Sequence, residues 1–156
     1  MAIKIFIGTS ANGEDKEAEL VYEYSLRKNC STEIDIEWMR LSNNPKSFWS
    51  GWNTKKWYTP FSGFRWAIPY LCKFKGRAIY TDVDMINLHD ISELYKFNLK
   101  GSVFGCKKGD RFGYFEPCVM VMDCQKAGEI IWHVEELKKD KNQHEAMKKK
   151  ILKNFK

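Results

Sequence analysis

Apolar residues fall in short runs along the chain, and the period of each run predicts a strand or a helix. Residues 3–7 are apolar apart from Lys4 and predict an opening strand. In residues 14–28 the apolar positions recur at helical spacing, and acidic residues lie at the start, where the helix dipole favours negative charge. Residues 34–39 alternate between apolar and polar and predict a second strand. This order predicts a parallel βαβ unit with a right-handed crossover.

An irregular segment rich in aromatic residues follows the βαβ unit. Residues 42–62 combine six aromatic side chains with Asn, Gly and Pro residues that break regular structure. These rings would either stack on a base or a sugar ring or pack against the core, and the sequence leaves both interpretations open. Residues 62–74 then predict one helix, with Ser62 as a candidate N-cap and a kink at Pro69. Its predicted buried side consists of Phe64, Ala67, Ile68 and Leu71.

Two carboxylates follow the next apolar run. Residues 78–81 predict a buried strand, and Asp82 and Asp84 come directly after it with Val83 between them. Alternate residues of an extended segment point to the same side, so both carboxylates are predicted to face one point. Ligands bind at this end of the strands in open α/β sheets, and oxygen donors suit Mg²⁺ or Mn²⁺ held jointly with phosphate oxygens. The alternative is a solvated Asp-x-Asp turn.

The remaining pattern completes an α/β domain with a mixed, mostly parallel central sheet. The polar residues 107–111 predict an exposed loop between two strands. The loop at residues 8–13 is neither a Gly-x-Gly-x-x-Gly nor a Walker-type sequence, which disfavours a dehydrogenase or a P-loop enzyme. The predicted later elements are a short helix at residues 90–97, strands at residues 102–106 and 118–122, and a final helix at residues 127–137.

Composition adds limits on class and compartment. With 156 residues, 44% hydrophobic and 29% charged, the chain predicts one globular domain. No run approaches the ~20 apolar residues of a membrane span, and the N-terminus does not read as a signal peptide, so we predict a cytoplasmic protein. The cysteines lack metal-ligand spacing and are predicted to be reduced thiols. They are Cys30, Cys72, Cys106, Cys118 and Cys124.

The net charge of +6 belongs to the C-terminal end. Residues 138–156 contain eight lysines, and residues 1–137 are nearly balanced, so we predict a domain at 1–137 and a basic helical tail at 138–156. The tail is predicted to be solvated, with peripheral contact to an anionic membrane as the alternative. Nucleic-acid binding through the tail is a further hypothesis, but no nucleic-acid motif is present and no specific nucleic-acid partner is expected.

Four segments, taken in order, resemble the GT-A-fold glycosyltransferases, and among them the group of glycogenin and the bacterial galactosyltransferases. They are the strand at residues 3–8, the helix at residues 64–71, Asp82-Val83-Asp84, and the Asp-Ile-Ser-Glu-Leu sequence at residues 90–94. A later strand, at residues 119–124, extends the resemblance to roughly residues 3–130. It implies a three-layer GT-A fold in which residues 1–137 form the nucleotide-sugar-binding catalytic domain.

The resemblance also implies roles for individual residues. It places Asp82 near the ribose and the cation, and makes Asp84 a direct ligand of Mn²⁺ or Mg²⁺. Arg65 matches an arginine that reaches the nucleotide sugar; the alternative role is a salt bridge to a motif carboxylate, and the two roles are compatible. The implied nucleotide-binding residues are Gly8, Thr9, Ser10, Arg65 and Asp82, the metal ligands are Asp82 and Asp84, and the catalytic residues are Asp84 and Arg65.

The implied reaction is the transfer of a hexose, with retention, from a nucleotide diphosphate sugar, expected to be a UDP-sugar. The acceptor is an unidentified hydroxyl on a sugar, a lipid or a protein. Glu116 is the one acceptor-side carboxylate that we select as catalytic, with a surface position as the alternative; Asp110 and Asp123 lie near the same strand ends. Sugar-phosphate nucleotidyltransferases are disfavoured, because the loop at residues 8–13 has no basic residue.

Two departures from these enzymes leave the completeness of the site open. They usually carry a third metal ligand, a histidine in a His-x-x-Gly-x-x-Lys-Pro-Trp-like segment, and this chain has only His89, His133 and His144, outside any such segment. The chain is also shorter than typical members. Three interpretations follow: a minimal enzyme with water completing the metal shell, a site completed by a homo-oligomer or another partner, or a reduced module that binds nucleotide sugar without catalysis.

Overall fold

One mixed five-stranded sheet forms the centre of the computed structural model, which describes residues 2–55, 57–109, 115–131 and 133–139. The order across the sheet is β2-β1-β3-β5-β4. The pairs β1–β2 and β1–β3 are parallel, and β5 is antiparallel to both β3 and β4, so four strands share one direction. The strands are β1 (Ile3–Gly8), β2 (Ile34–Met39), β3 (Arg77–Asp82), β4 (Phe104–Lys108) and β5 (Phe115–Asp123).

The predicted βαβ unit at the start of the chain is confirmed. Helix α1 (Lys16–Asn29) connects β1 to β2, and the two strands pair in parallel from Ile3 against Ile34. Acidic residues occupy the first turn of α1 and basic residues its last turn, as the helix dipole favours. The opening of the chain therefore places the carboxyl ends of β1 and β2 side by side.

Apolar side chains cover both faces of the sheet, because the residues of each strand alternate between them. On one face, Ile79 and Val83 pack with residues of α1 and of α3 (Ile91–Tyr95). On the other, Ala78 and Tyr80 pack with the aromatic segment at residues 48–68 and with the C-terminal helices. The result is three layers with the sheet in the middle. Among the described residues, no helix has the length and apolar character that a membrane span requires.

The single helix predicted at residues 62–74 is wrong. The structure has a 3₁₀ turn at Phe64–Ala67 followed by the short helix α2 (Ile68–Leu71), and Gly63 rather than Ser62 precedes the 3₁₀ turn. Pro69 lies in the first turn of α2, where its missing N–H costs nothing. The helix ends because Lys73 and Phe74 both take φ of 53°.

The final helix predicted at residues 127–137 is also wrong. Its region contains two short helices, α4 (Cys124–Ala127) and α5 (Val134–Lys139), separated by a turn that begins at Gly128. Gly128 is a weak helix former, and a Cβ there would lie 2.7 Å from Cδ1 of Phe74. Tertiary packing therefore selects glycine at the point where the helix stops.

Smaller differences concern the later strands and the tail. Strand β4 begins two residues later than predicted and includes Lys107 and Lys108, which were assigned to a loop; β5 is longer than predicted at both ends. The remainder of that loop, with Asp110, lies largely outside the described residues. Lys138 and Lys139 end α5, and the rest of the predicted tail, with His144, also lies outside them.

Candidate functional site

The carboxyl ends of the three parallel strands form one edge of the sheet, and most of the predicted site residues lie along it. In the pairing register, Gly8 at the end of β1 lies opposite Asp82 at the end of β3 and opposite Met39 at the end of β2. The register therefore brings Gly8 and Asp82, which are far apart in sequence, to neighbouring backbone positions.

Arg65 is buried beneath this edge, with 7% of its surface exposed. Its Nη2 lies 3.5 Å from Oδ1 of Asp82, so the predicted salt bridge to a motif carboxylate is confirmed. Its Nε donates to the carbonyl of Ser62 at 3.0 Å, and its Nη1 donates to the carbonyl of Pro117. One guanidinium thus joins its own turn to β3 and β5, and it supplies positive charge directly behind Asp82.

Tyr80 contacts the same two side chains and was missed by the sequence analysis. Its hydroxyl donates to Oδ1 of Asp82, and the Arg65 guanidinium lies 4.3 Å from the centre of its ring. The ring is fully buried, and burial raises the pKa of Tyr80 well above 10, so the hydroxyl keeps its proton and acts as a donor. An alternating strand predicts only that Tyr80 shares a face with Asp82 and gives no sign of the hydrogen bond.

Opposing effects act on the pKa of Asp82. Burial is the largest and raises the pKa of this carboxyl above 3.8, while the Arg65 charge and the Tyr80 hydrogen bond lower it. The charge of Asp84 raises it again, which shows that the two carboxylates interact. Asp82 is half-buried at the end of β3, whereas Asp84 is exposed on a bend beyond the strand.

The oxygen donors at this edge fit a hard divalent cation in part. Carboxylates are ligands that Mg²⁺ and Mn²⁺ accept, and Asp84 is exposed and next to Asp82. No group of three or more His, Cys, Asp or Glu side chains in the described part of the chain is arranged to hold a metal ion. Asp82 and Asp84 would therefore hold such an ion only with oxygens from water or from a ligand.

The loop after β1 is held by hydrogen bonds to α1 and β2. The Thr9 N–H donates to the Met39 carbonyl at 3.1 Å, and the fully buried Thr9 hydroxyl donates to Glu19 at 2.6 Å. The Ser10 N–H donates to the carboxylate of Asp15 at 2.8 Å. These backbone N–H groups are occupied within the protein, so a ligand at residues 8–10 would meet other atoms of the loop. The glutamate and aspartate that hold this loop were not predicted.

Gly8 is required by close packing. A Cβ at this position would lie 2.5 Å from Cδ2 of Phe61 and 2.8 Å from the hydroxyl oxygen of Tyr80. Both aromatic side chains are buried, so neither moves away cheaply. Gly8 therefore leaves room for the Tyr80 hydroxyl beside Asp82.

The aromatic segment mainly belongs to the core. Trp49, Trp52 and Phe61 are buried in the cluster that covers one face of the sheet, and the ring centres of Trp49 and Phe64 are 4.8 Å apart. Tyr58 is different, because its side chain is fully exposed. Core packing therefore explains most of these rings, and Tyr58 remains available for stacking on a ligand.

The other candidate residues in the described part of the chain form no hydrogen bond or ion pair with Asp82. Glu116 directly precedes Pro117, whose carbonyl accepts from Arg65, and its carboxylate forms a 3.4 Å ion pair with Lys107. Asp123 caps α4 by accepting the Lys126 N–H at 3.1 Å. His133 lies with its ring centre 6.2 Å from that of Tyr70. Neither Asp123 nor His133 therefore contributes to the edge.

A second polar feature lies on the opposite face of β3. Thr81 is 1% exposed, and its hydroxyl makes no hydrogen bond of normal length and angle within the described residues. Its interaction with the Tyr22 hydroxyl nevertheless lowers the pKa of Tyr22 against the larger effect of burial. Thr81 and the buried Tyr22 line a half-open cavity of about 260 Å³ between α1, α3 and the segment that follows Asp84. His89 and Asp90 belong to the same wall, and Asp90 caps α3 by accepting the Ser92 N–H at 2.9 Å.

No protein-family model and no curated protein matches the sequence. Solved structures do match the fold. The glycosyltransferase GlyE of Streptococcus pneumoniae TIGR4 matches with a TM-score of 0.66, at 12% identity, over 100% of this chain and 41% of that chain. The galactosyltransferase LgtC, in complex with donor and acceptor sugar analogues, matches with a TM-score of 0.64, at 11% identity, over 99% of this chain and 66% of that chain.

A third match is the bifunctional glycosyltransferase WbbM, with a TM-score of 0.63, at 14% identity, over 82% of this chain and 32% of that chain. The chain thus spans between 32% and 66% of the length of these three proteins. At this level of identity the matches show the fold. The chain has the GT-A glycosyltransferase fold with a mixed central sheet, as the sequence predicted.

Proposed function

We propose that this protein is a metal-dependent glycosyltransferase that moves a hexose from a UDP-sugar to a hydroxyl acceptor. One observation carries the proposal. On a GT-A fold, Gly8 and Asp82 lie side by side at the carboxyl edge of the parallel strands, Arg65 forms an ion pair with Asp82, and Asp84 is exposed beyond it. This is the edge at which open α/β sheets bind ligands.

Within the proposal, Asp84 is the main cation ligand, because it is exposed and free of the ion pair that holds Asp82. Bound Mn²⁺ or Mg²⁺ would supply positive charge to the diphosphate leaving group. Arg65 holds Asp82 in place and adds fixed positive charge under the site, where charge develops as the sugar leaves. Residues 8–10 would lie along the base and the ribose.

On the acceptor side of the site there is one candidate catalytic residue, Glu116. Its carboxylate is paired with Lys107, and retention of configuration would not require it as a base. A second function is favoured by this ion pair, because the pair engages the one acceptor-side carboxylate that we selected. It is binding of the nucleotide sugar without transfer, or transfer only when a second copy or a partner completes the site.

Calorimetric titration of UDP and UDP-glucose, with Mn²⁺ and with EDTA, tests the donor site. We expect UDP binding to require Mn²⁺, because the ion would be shared between the carboxylates of the protein and the diphosphate of the ligand. The two carboxylates alone do not complete a metal shell, and the diphosphate would supply further oxygens. Asp84→Ala should abolish this binding. Asp35→Ala is the matched control, because Asp35 is an exposed carboxylate near the amino end of β2, and it should leave the affinity unchanged.

Binding followed by release of UDP in the presence of acceptor sugars would support the transferase. Binding without any turnover would support the non-catalytic module. If neither nucleotide binds under either condition, the proposal of a donor site is wrong. Equal loss in Asp84→Ala and Asp35→Ala would also contradict it, because the effect would not then depend on the edge of the sheet.

A further inference from the structure

Tyr80 is a buried residue whose hydroxyl has one hydrogen-bond partner among the described residues, the carboxylate of Asp82. The side chain is fully buried in the apolar cluster on one face of the sheet. A buried hydroxyl costs free energy unless it is hydrogen-bonded, so packing alone would favour phenylalanine at this position. The hydroxyl donates to Oδ1 of Asp82, and this links the core directly to the site.

Two interior groups reach the same oxygen of Asp82. The Tyr80 hydroxyl and Nη2 of Arg65 both contact Oδ1, and within the described part of the chain no hydrogen bond or ion pair reaches Oδ2. A carboxylate held by one oxygen has a defined orientation, although rotation about its terminal bond is otherwise broad. The second oxygen is therefore available at the edge of the sheet.

The neighbouring strand also accommodates this hydroxyl. Gly8 lies opposite Asp82 in the register, and a Cβ on Gly8 would approach the Tyr80 oxygen to 2.8 Å. The Arg65 guanidinium stacks on the Tyr80 ring at 4.3 Å, so the ring alone is sufficient to support the arginine. The ring therefore supports Arg65, and the hydroxyl bonds to Asp82.

We propose that Tyr80 is a positioning residue, whose hydroxyl orients the carboxylate of Asp82 so that Oδ2 faces the bound diphosphate and its cation. The inference rests on the proposed function, because it concerns the same site. A carboxylate that is already oriented loses less freedom on binding, so affinity increases without a new contact to the ligand. Hydrogen bonds of this kind behind a metal ligand commonly change affinity by about tenfold or more.

The test is Tyr80→Phe, which removes the hydroxyl and keeps the ring under Arg65. We expect the affinity for UDP in the presence of Mn²⁺ to fall about tenfold, whereas titration in EDTA should show no binding by either protein. Tyr95→Phe is the matched control, since Tyr95 is a partly buried tyrosine on the other face of the sheet. It should leave the Mn²⁺-dependent affinity unchanged. Thermal unfolding of each variant reports any purely structural effect.

Wild-type binding with an equal affinity in Tyr80→Phe would overturn the positioning role and leave the donor site intact. An equal loss in Tyr95→Phe would overturn it too, because the effect would then be general. The absence of UDP binding by the wild-type protein would count against the proposed function itself. A crystal structure of Tyr80→Phe gives a test that needs no ligand: we expect the Asp82 carboxylate to turn, and an unchanged orientation would contradict the proposal.

Discussion

The two faces of β3 accommodate buried polar groups in different ways. On one face, the Tyr80 hydroxyl donates to Asp82 and the Arg65 guanidinium forms an ion pair with the same carboxylate. On the other face, the hydroxyl of Thr81 is buried at the wall of a cavity and makes no hydrogen bond of normal length and angle within the described residues. Buried polar groups are normally paired, so the ion pair and hydrogen bonds around Arg65 and Asp82 indicate where the fold has been arranged around a charged group.

The chemistry of the flanking layers explains the difference. The aromatic segment and β5 supply carbonyl oxygens, at Ser62 and Pro117, that bind the remaining guanidinium N–H groups of Arg65. The opposite layer contributes mainly aliphatic side chains from β1, α1 and α3. A charged residue could be buried on the first face because its partners are present there.

The largest effect expected is from Arg65→Ala. It would leave Asp82 without its cation and two carbonyls without their donor, and breaking a buried ion pair from one side costs about 3–5 kcal/mol. Because Asp82 is partly exposed, we expect a loss of about 3 kcal/mol in the free energy of unfolding, measured by urea denaturation. Arg65→Lys should recover part of it. A loss below about 1 kcal/mol would mean that the contacts of Arg65 contribute little to the stability of the protein.

Gly8→Ala should have the next largest effect. The added methyl group would meet the ring of Phe61 at 2.5 Å and the hydroxyl oxygen of Tyr80 at 2.8 Å, and overpacking of this kind costs about 1–3 kcal/mol. We also expect weaker Mn²⁺-dependent binding of UDP, because the displaced Tyr80 hydroxyl would no longer reach Asp82. Unchanged stability would show that the rings can move and that close packing does not explain this glycine.

On the face of β3 that carries Thr81, we expect a substitution to raise the free energy of unfolding. Thr81→Val replaces a buried hydroxyl that lacks a hydrogen bond of normal geometry by a methyl group of similar shape, and should stabilise the protein by about 1 kcal/mol. UDP affinity should not change. Chemical denaturation measures the stability, and calorimetry measures the UDP affinity. Clear destabilisation would mean that the hydroxyl is paired through water in the cavity and that the two faces are more alike than the described contacts indicate.

The smallest effect at neutral pH should come from Asp90→Asn, at the wall of the same cavity. Hydrogen bonds from Ser31, followed by those from Ser92, hold the pKa of Asp90 well below 3.8. The carboxylate therefore adds stability that is fully present above the unfolded pKa and is lost as the pH falls below about 4. The variant should be slightly less stable at pH 7 and should show a shallower loss of stability in acid. Parallel pH profiles would contradict this.

Sequence periodicity was sufficient for the first three elements, which lie within residues 3–39. The runs at β1, α1 and β2 have unambiguous periods, and the structure confirms each within two residues. It was insufficient where packing competes with local preference, as at Gly128 and Pro69, where one predicted helix becomes two shorter pieces. The same limit left the aromatic segment open, because a tryptophan is equally suited to a core and to a ligand.

For the site, the sequence by itself determined which residues carry the charge: Asp82 and Asp84 after a buried strand, and Arg65 on the segment before it. Tertiary structure alone decided how they are held. The ion pair between Arg65 and Asp82, the hydrogen bond from Tyr80 and the space left at Gly8 all depend on strand register and on packing between distant segments. The charge of a side chain and the hydrophobic period of a segment depend on the residue and its neighbours in sequence. The orientation of a side chain depends on contacts with atoms that the fold brings together from distant segments.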